Sequence, residues 1–170
     1  MNEGYKIFNT FCYKDCPENT IANEDNNCEC KFHYYIENDE LFCFSEDKSC
    51  ENIGRPITSN TNRCFLSKED CINTGNKFFN NICYINSCPE NTNDEDNDKV
   101  CTCSNYYYKN HVTGLYVCLA QNEACTSRQY NYKIDNEKQC FDSLDDCKIK
   151  GYKTFNNECL NMPGKYLWKK

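Results

Sequence analysis

Seventeen of the 170 residues are cysteine. A thiol can act as a nucleophile, ligate a metal, or couple to a second thiol. Spacing discriminates among the three. Zinc modules use paired Cys-x2-4-Cys units or mixed Cys/His sets, whereas CxC, Cx6C and longer gaps dominate here, with only two histidines in the chain. A cysteine nucleophile would have to stay reduced among many potential partners, and neither His33 nor His111 lies near a nucleophile signature. Coupling into disulfides is therefore the expected chemistry. It places the chain in an oxidising compartment, secreted or on a cell surface. No catalytic residue and no cofactor is assigned, and the chain reads as a non-enzyme.

The cysteines are positioned by an internal repeat. Cys12, Cys16, Cys28, Cys30, Cys43, Cys50, Cys64 and Cys71 are matched in order by Cys83, Cys88, Cys101, Cys103, Cys118, Cys125, Cys140 and Cys147. Flanking residues agree: Cys16 and Cys88 each open CPENT, an acidic-amide run follows, and then comes a CxC with tyrosines close behind it. Both copies close on Ser-x-x-Asp-Cys-x-x-x-Gly and then reach Phe-Asn-Asn-x-Cys. The expected units are residues 4–74, residues 75–150, the start of a third repeat over 151–161, and a tail or added residues over 162–170. The next cysteine of the third repeat would fall near Met162, so the chain reads as a monomeric piece of a longer array.

The odd cysteine follows from the same alignment, because Cys159 takes the place of Cys12 and Cys83. If pairing closes within each eight-cysteine copy, Cys159 is left over. If the last cysteine of one copy pairs with the first of the next, Cys12 is left over. The connectivity stays open, and the expectation is that Cys159 is unpaired.

Few aliphatic residues are available, mean hydropathy is −0.89, and aromatics make up 14% of the chain. A conventional core of this length would need more, so cross-links and rings must replace it. Runs such as 31–44, 104–119 and 129–141 read as hairpins, while 77–85 and 152–160 read as tight hairpins on Asn-Asn. Ser67 and Ser143 sit where an N-cap should be, and Gly75 and Gly151 where a glycine ends a helix. The fold class is small, disulfide-rich and mainly β, with tandem short hairpins and one brief helix per repeat. Stacked units of this kind predict an elongated shape.

A net charge of −7 and a pI near 4.9 argue against nucleic acid, whose phosphates need basic clusters. No segment is apolar for long enough to span a membrane. Asp94, Asp96 and Asp98 alternate oxygen donors as a calcium loop would, but the central glycine and twelfth-position Glu of an EF-hand are missing. A solvated turn is the expectation there, with no metal. The aromatic clusters are the candidate binding residues: Phe32, Tyr34 and Tyr35, their counterparts Tyr106, Tyr107 and Tyr108, and Tyr130 and Tyr132. Alternate residues of a strand face opposite sides, so some of these rings should point outward and serve as partner anchors. The competing expectation is that they pack over disulfides as a substitute core.

The succession of CPENT, acidic-amide loop, CxC with paired tyrosines and Cx6C resembles the cysteine-rich tandem repeats of anaerobic gut-fungal scaffoldins. The resemblance covers nearly all of residues 4–161. It implies a cohesin-type module of a cellulosome, binding the dockerins of plant-cell-wall-degrading enzymes. Cysteine-rich surface antigens of protists are similar in style, which leaves a surface adhesin or carbohydrate-binding repeat, or a structural stalk, as rival expectations.

Overall fold

The computed structural model describes residues 5–94, 97–134, 137–156 and 158–160. These fall into two compact units, one within Met1–Cys88 plus Asp96–Val100 and the other within Pro89–Glu95 plus Cys101–Lys170. Asp96, Met162 and the 162–170 tail lie outside the described residues.

The first unit is a succession of antiparallel hairpins: β1 (Lys6–Phe8) with β2 (Phe11–Tyr13), β3 (Thr20–Ala22) with β4 (Cys28–Cys30), β5 (Tyr34–Glu37) with β6 (Glu40–Cys43), and β7 (Ile57–Ser59) with β8 (Cys64–Phe65). A six-residue helix α1 (Lys68–Asn73) then leads to the hairpin β9 (Lys77–Phe79) and β10 (Ile82–Tyr84). The second unit repeats the order: β11 (Thr92–Asn93) with β12 (Thr102–Cys103), β13 (Tyr107–Lys109) with β14 (Tyr116–Cys118), β15 (Tyr132–Ile134) with β16 (Gln139–Phe141), α2 (Leu144–Ile149), and β17 (Lys153–Phe155) with β18 (Glu158–Leu160). The chain is thus mainly β, with one brief helix per repeat, as its turn and cap residues predict.

Local chemistry explains the elements. Two-residue hairpin turns need left-handed backbone at both central positions, and amides tolerate it. Asn80 and Asn81 sit at φ 51° and 61°, Asn38 and Asp39 at 51° and 63°, and Asn9 and Thr10 at 45° and 67°. Each helix is capped by a serine hydroxyl, Ser67 accepting from the Asp70 N–H and Ser143 from the Asp146 N–H. Gly75 and Gly151, at φ 88° and 90°, end the helices in the left-handed conformation that glycine adopts without penalty.

The hairpins do not stand singly. Strand β10 runs parallel to β7, which makes a four-stranded sheet β8-β7-β10-β9, and β13 runs parallel to β16 in the sheet β14-β13-β16-β15. Alternation alone could not show this, because side-by-side parallel pairing of two hairpins leaves no local mark in the sequence.

Disulfides join Cys16–Cys28, Cys30–Cys43, Cys50–Cys64, Cys71–Cys83, Cys103–Cys118, Cys125–Cys140 and Cys147–Cys159. Cys88 and Cys101, the equivalents of Cys16 and Cys28, are also disulfide-bonded. The free cysteine is Cys12, which is exposed. The expectation that Cys159 is the orphan is therefore overturned. The last cysteine of one repeat lies on the buried side of its helix, and the first cysteine of the next repeat lies on the hairpin that packs there. Pairing consequently crosses the sequence repeat.

The buried side chains are largely half-cystines. Phe65, Cys71 and Cys83 form one cluster with Ile57, Phe78 and Ile85 against it; Ile134, Phe141, Cys147 and Cys159 form the equivalent in the second unit, with Tyr132, Leu144 and Tyr152 around them. The Tyr152 phenol donates to the Glu137 carboxylate, and its ring meets Phe141 edge-on, with centroids 5.7 Å apart. Burial first, then the hydrogen bond to Glu137 and that group's charge, push this phenol up to about 12. An unfolded tyrosine ionises near 10, so the neutral phenol favours the folded state below that pH, and the contribution is lost as pH rises through about 12. In a Cys12→Ser background, where no free thiolate attacks the disulfides, NMR of ring-labelled tyrosine should show one phenol titrating near the upper value. Tyr152→Phe should remove that signal and flatten the alkaline loss of stability; an ordinary titration for every ring would count against it.

Candidate functional site

The eight aromatic candidates are all half-buried. On β5 and β13 the alternation of strand residues sends neighbouring rings to opposite faces. Tyr34 stands across from Cys43 and Tyr107 across from Cys118, on the faces that carry the disulfides, whereas Tyr35 stands across from Phe42 and Tyr108 across from Val117.

On the Tyr35 face the rings build a ladder. Tyr35 stacks on Phe42 with centroids 4.8 Å apart and planes 8° from parallel, and on Phe44 at 5.5 Å. The Arg55 guanidinium lies 4.1 Å above the same ring, held also by an ion pair to Glu37 at 3.2 Å. In the second repeat Tyr130 replaces the guanidinium. It stacks on Tyr108 at 4.2 Å, and both pack with Tyr106 against Leu119, Cys125 and Cys140. Arg55 and Tyr130 are equivalent: each follows a short 3-10 turn ended by a left-handed residue, Gly54 or Gln129, and each sends its N–H to the first cysteine of that turn, Cys50 or Cys125. Stacked pairs of this geometry contribute about 0.5–1.5 kcal/mol beyond the area they bury. Tyr106, Tyr108 and Tyr130 thus share in one core cluster and Tyr132 in another, whereas Phe32, Tyr34, Tyr35 and Tyr107 are half-buried outside those clusters.

Two further rings of these hairpins lie on the partner strands. Phe42 is 37% exposed and Tyr116 41%, with Ile36 and Leu115 similar. Tyr116 meets Tyr107 edge-on at 5.5 Å, and burial followed by the neighbouring Tyr116 and Glu137 groups holds the Tyr107 phenol above its usual range. Strands β6 and β14 are also sheet edges, where backbone groups can meet a partner, although on β6 the Asn9 side chain already bonds the Leu41 N–H and carbonyl. The sequence reading centred on the tyrosine runs and passed over these two rings. The signal was there: Leu-Phe-Cys-Phe and Leu-Tyr-Val-Cys alternate as the second arm of each hairpin.

In the described parts of the acidic loops, side chains bond nearby backbone. Asn23 Oδ1 accepts from the Asp25 and Asn27 N–H groups at 3.0 Å each, and Asp98 Oδ1 accepts from the Val100 N–H at 2.8 Å. Among the described residues, the side chains that do converge as a metal site would are His111, Asp142 and Asp146. His111 Nε2 stands 3.0 Å from Asp142 Oδ2 and 3.6 Å from Asp146 Oδ2. A hydrogen bond between the two carboxyl groups holds Asp142 below and Asp146 above the ordinary aspartate range, and His111 lowers Asp142 further. One imidazole and two carboxyl groups would suit a borderline divalent ion better than calcium, and the same groups already contact one another. The first repeat has Leu66 in the place of Asp142, so the triad belongs to the second alone. Sequence reasoning missed it because His111 comes from the β13–β14 connection, far along the chain from α2.

No helix among the described residues is long and apolar enough to cross a membrane. No protein-family model, no curated protein and no solved structure matches this chain.

Proposed function

We propose that this chain is a non-catalytic extracellular module whose tandem repeats bind a partner protein, with a dockerin-type module as the partner class that the scaffoldin resemblance implies. The observation that carries the reading is a partly exposed ring on the outer strand of each of the hairpins β5–β6 and β13–β14: Phe42 on the Tyr35 face of the first and Tyr116 on the disulfide face of the second, each braced by a tyrosine of the inner strand. Rigid aromatic anchors with a polar surround are what protein interfaces use. Rings fixed before contact lose little entropy on binding. The net charge of −7 suits a neutral or basic partner surface and speeds its approach. Two such hairpins on one chain also raise the effective concentration of the second contact once the first is made. The disulfide-based interior accords with an oxidising compartment.

Capture of a panel of dockerins by the immobilised chain tests this. Binding at micromolar concentration or tighter is expected, weakened about tenfold or more by Phe42→Ala or Tyr116→Ala, as for interface anchors worth over 1 kcal/mol. Each truncation removes one ring–ring contact, to Tyr35 or Tyr107, and leaves every disulfide in place, so the far-UV spectrum should remain that of the folded chain. No capture across the panel would sink the dockerin assignment. Glycan binding lost in the same two variants would instead establish the carbohydrate-binding alternative.

A further inference from the structure

The hairpin β1–β2 is built like β9–β10 and β17–β18 but, unlike them, has an outer side that no strand or disulfide covers among the described residues. Its register is the same, Phe8 opposite Phe11 as Phe79 is opposite Ile82. It leans on its own unit in the same way: the Ile7 N–H donates to the Asn26 carbonyl at 3.0 Å, as the Phe78 N–H donates to the Lys99 carbonyl at 2.8 Å. Asn9 fixes it further, exchanging two 2.9 Å hydrogen bonds with the Leu41 backbone.

What covers such a hairpin is visible in the other two. The outer edge of β10 pairs with β7, Ile82 beside Thr58 and Cys83 beside Ser59, and Cys83 is bonded to Cys71 of the preceding helix. The Asn60 N–H donates to the Cys83 carbonyl, and Asn60 Oδ1 accepts from the Ile85 N–H, both at 3.0 Å. Cys159 is likewise buried at 5% exposure and bonded to Cys147, with Ile134 and Phe141 over it. On β1–β2 the equivalent positions are Cys12, which is free, Ile7 at 49% exposure and Phe11 at 63%.

We propose that the outer face of β1–β2 is an interaction surface for the closing sheet and helix of another cysteine-rich repeat of this kind, and that Cys12 forms a disulfide with that repeat's helix cysteine. The occupant is specified by the two covered hairpins: a strand like β7 laid parallel to β2, an amide like Asn60 bridging past the cysteine, and a thiol at the place of Cys71. Both thiols lose their protons, one S–S bond forms, and the two electrons pass to a small disulfide such as oxidised glutathione, which leaves as two thiols.

The test joins a second copy of residues 46–75 directly to Tyr5 of the full chain and refolds it in a glutathione redox buffer. The added Cys71 then precedes Cys12 by the same 12 residues that separate Cys71 from Cys83. The expected result is no reactive thiol in the denatured, unreduced protein, a peptide map linking the added Cys71 to Cys12, and amide exchange of β2 slowed at least tenfold. A fusion in which the added Cys71 is Ser separates docking from cross-linking, since slow exchange in β2 should persist without the bond. Two reactive thiols in the first fusion, or unchanged β2 exchange in the second, would overturn the proposal.

Discussion

Replacing Cys71 and Cys83 together by alanine is expected to cost the first unit about 3 kcal/mol from loop closure alone, for a loop of roughly a dozen residues. The whole effect should exceed that, because both sulfurs are fully buried, at 0% exposure, in the cluster with Phe65. Single domains have only about 5–15 kcal/mol of stability in total, and this unit has few aliphatic side chains to fall back on. The Cys30–Cys43 link offers an internal comparison: it closes a loop of similar length, with separation 13 against 12, but both of its cysteines are only half-buried. Its removal should cost the loop term and little more. Urea unfolding followed by amide exchange in β7–β10 measures both. Equal losses in the two double variants would show that packing around Cys71 and Cys83 contributes nothing.

Phe65→Ala should be the most damaging single change in the same unit, at about 3–5 kcal/mol for a buried phenylalanine. The ring is 1% exposed and belongs to the largest fully buried side chains. It clusters with buried Cys71 and Cys83, and the Arg63 guanidinium lies 4.7 Å from its centroid. Truncation therefore opens a cavity and also removes the aromatic face from a partly desolvated cation. Phe65→Leu keeps most of the volume and should recover the larger part of the loss, which separates packing from the cation contact. A Phe65→Ala variant melting within a degree or two of the parent would contradict the placement of the core.

Much of this architecture could be read from residue order. The Asn-Asn turns, the serine caps and the glycines at 75 and 151 are each local instructions, and each is carried out within a few residues. What sequence could not give was anything decided between elements. The parallel pairing of β10 with β7 depends on how two hairpins meet, and that meeting carries Cys83 to Cys71 rather than to a cysteine of its own repeat. The same geometry is why the orphan is Cys12 and not Cys159. The hairpin at β1–β2 was legible in principle, since Lys-Ile-Phe-Asn-Thr-Phe-Cys parallels Lys-Phe-Phe-Asn-Asn-Ile-Cys, but its threonine in place of asparagine weakened the turn signal. For the rings, the alternation of β5 and β13 foretold two faces without telling which one would be packed, and the answer lay in Arg55 and Tyr130 arriving from a later turn.

Disulfides whose partners sit only 12 to 15 residues apart also decide how the chain answers a pull on its ends. Each bond withholds the stretch it encloses, on the order of 40 Å of extended polypeptide, however far the surrounding strands peel apart. Tension can lengthen only the short runs between one bridge and the next, such as Cys64 to Cys71 or Cys118 to Cys125. A tether of this design would stay taut under load, and would pay out its hidden slack in discrete steps as a reductant cut its bridges one by one.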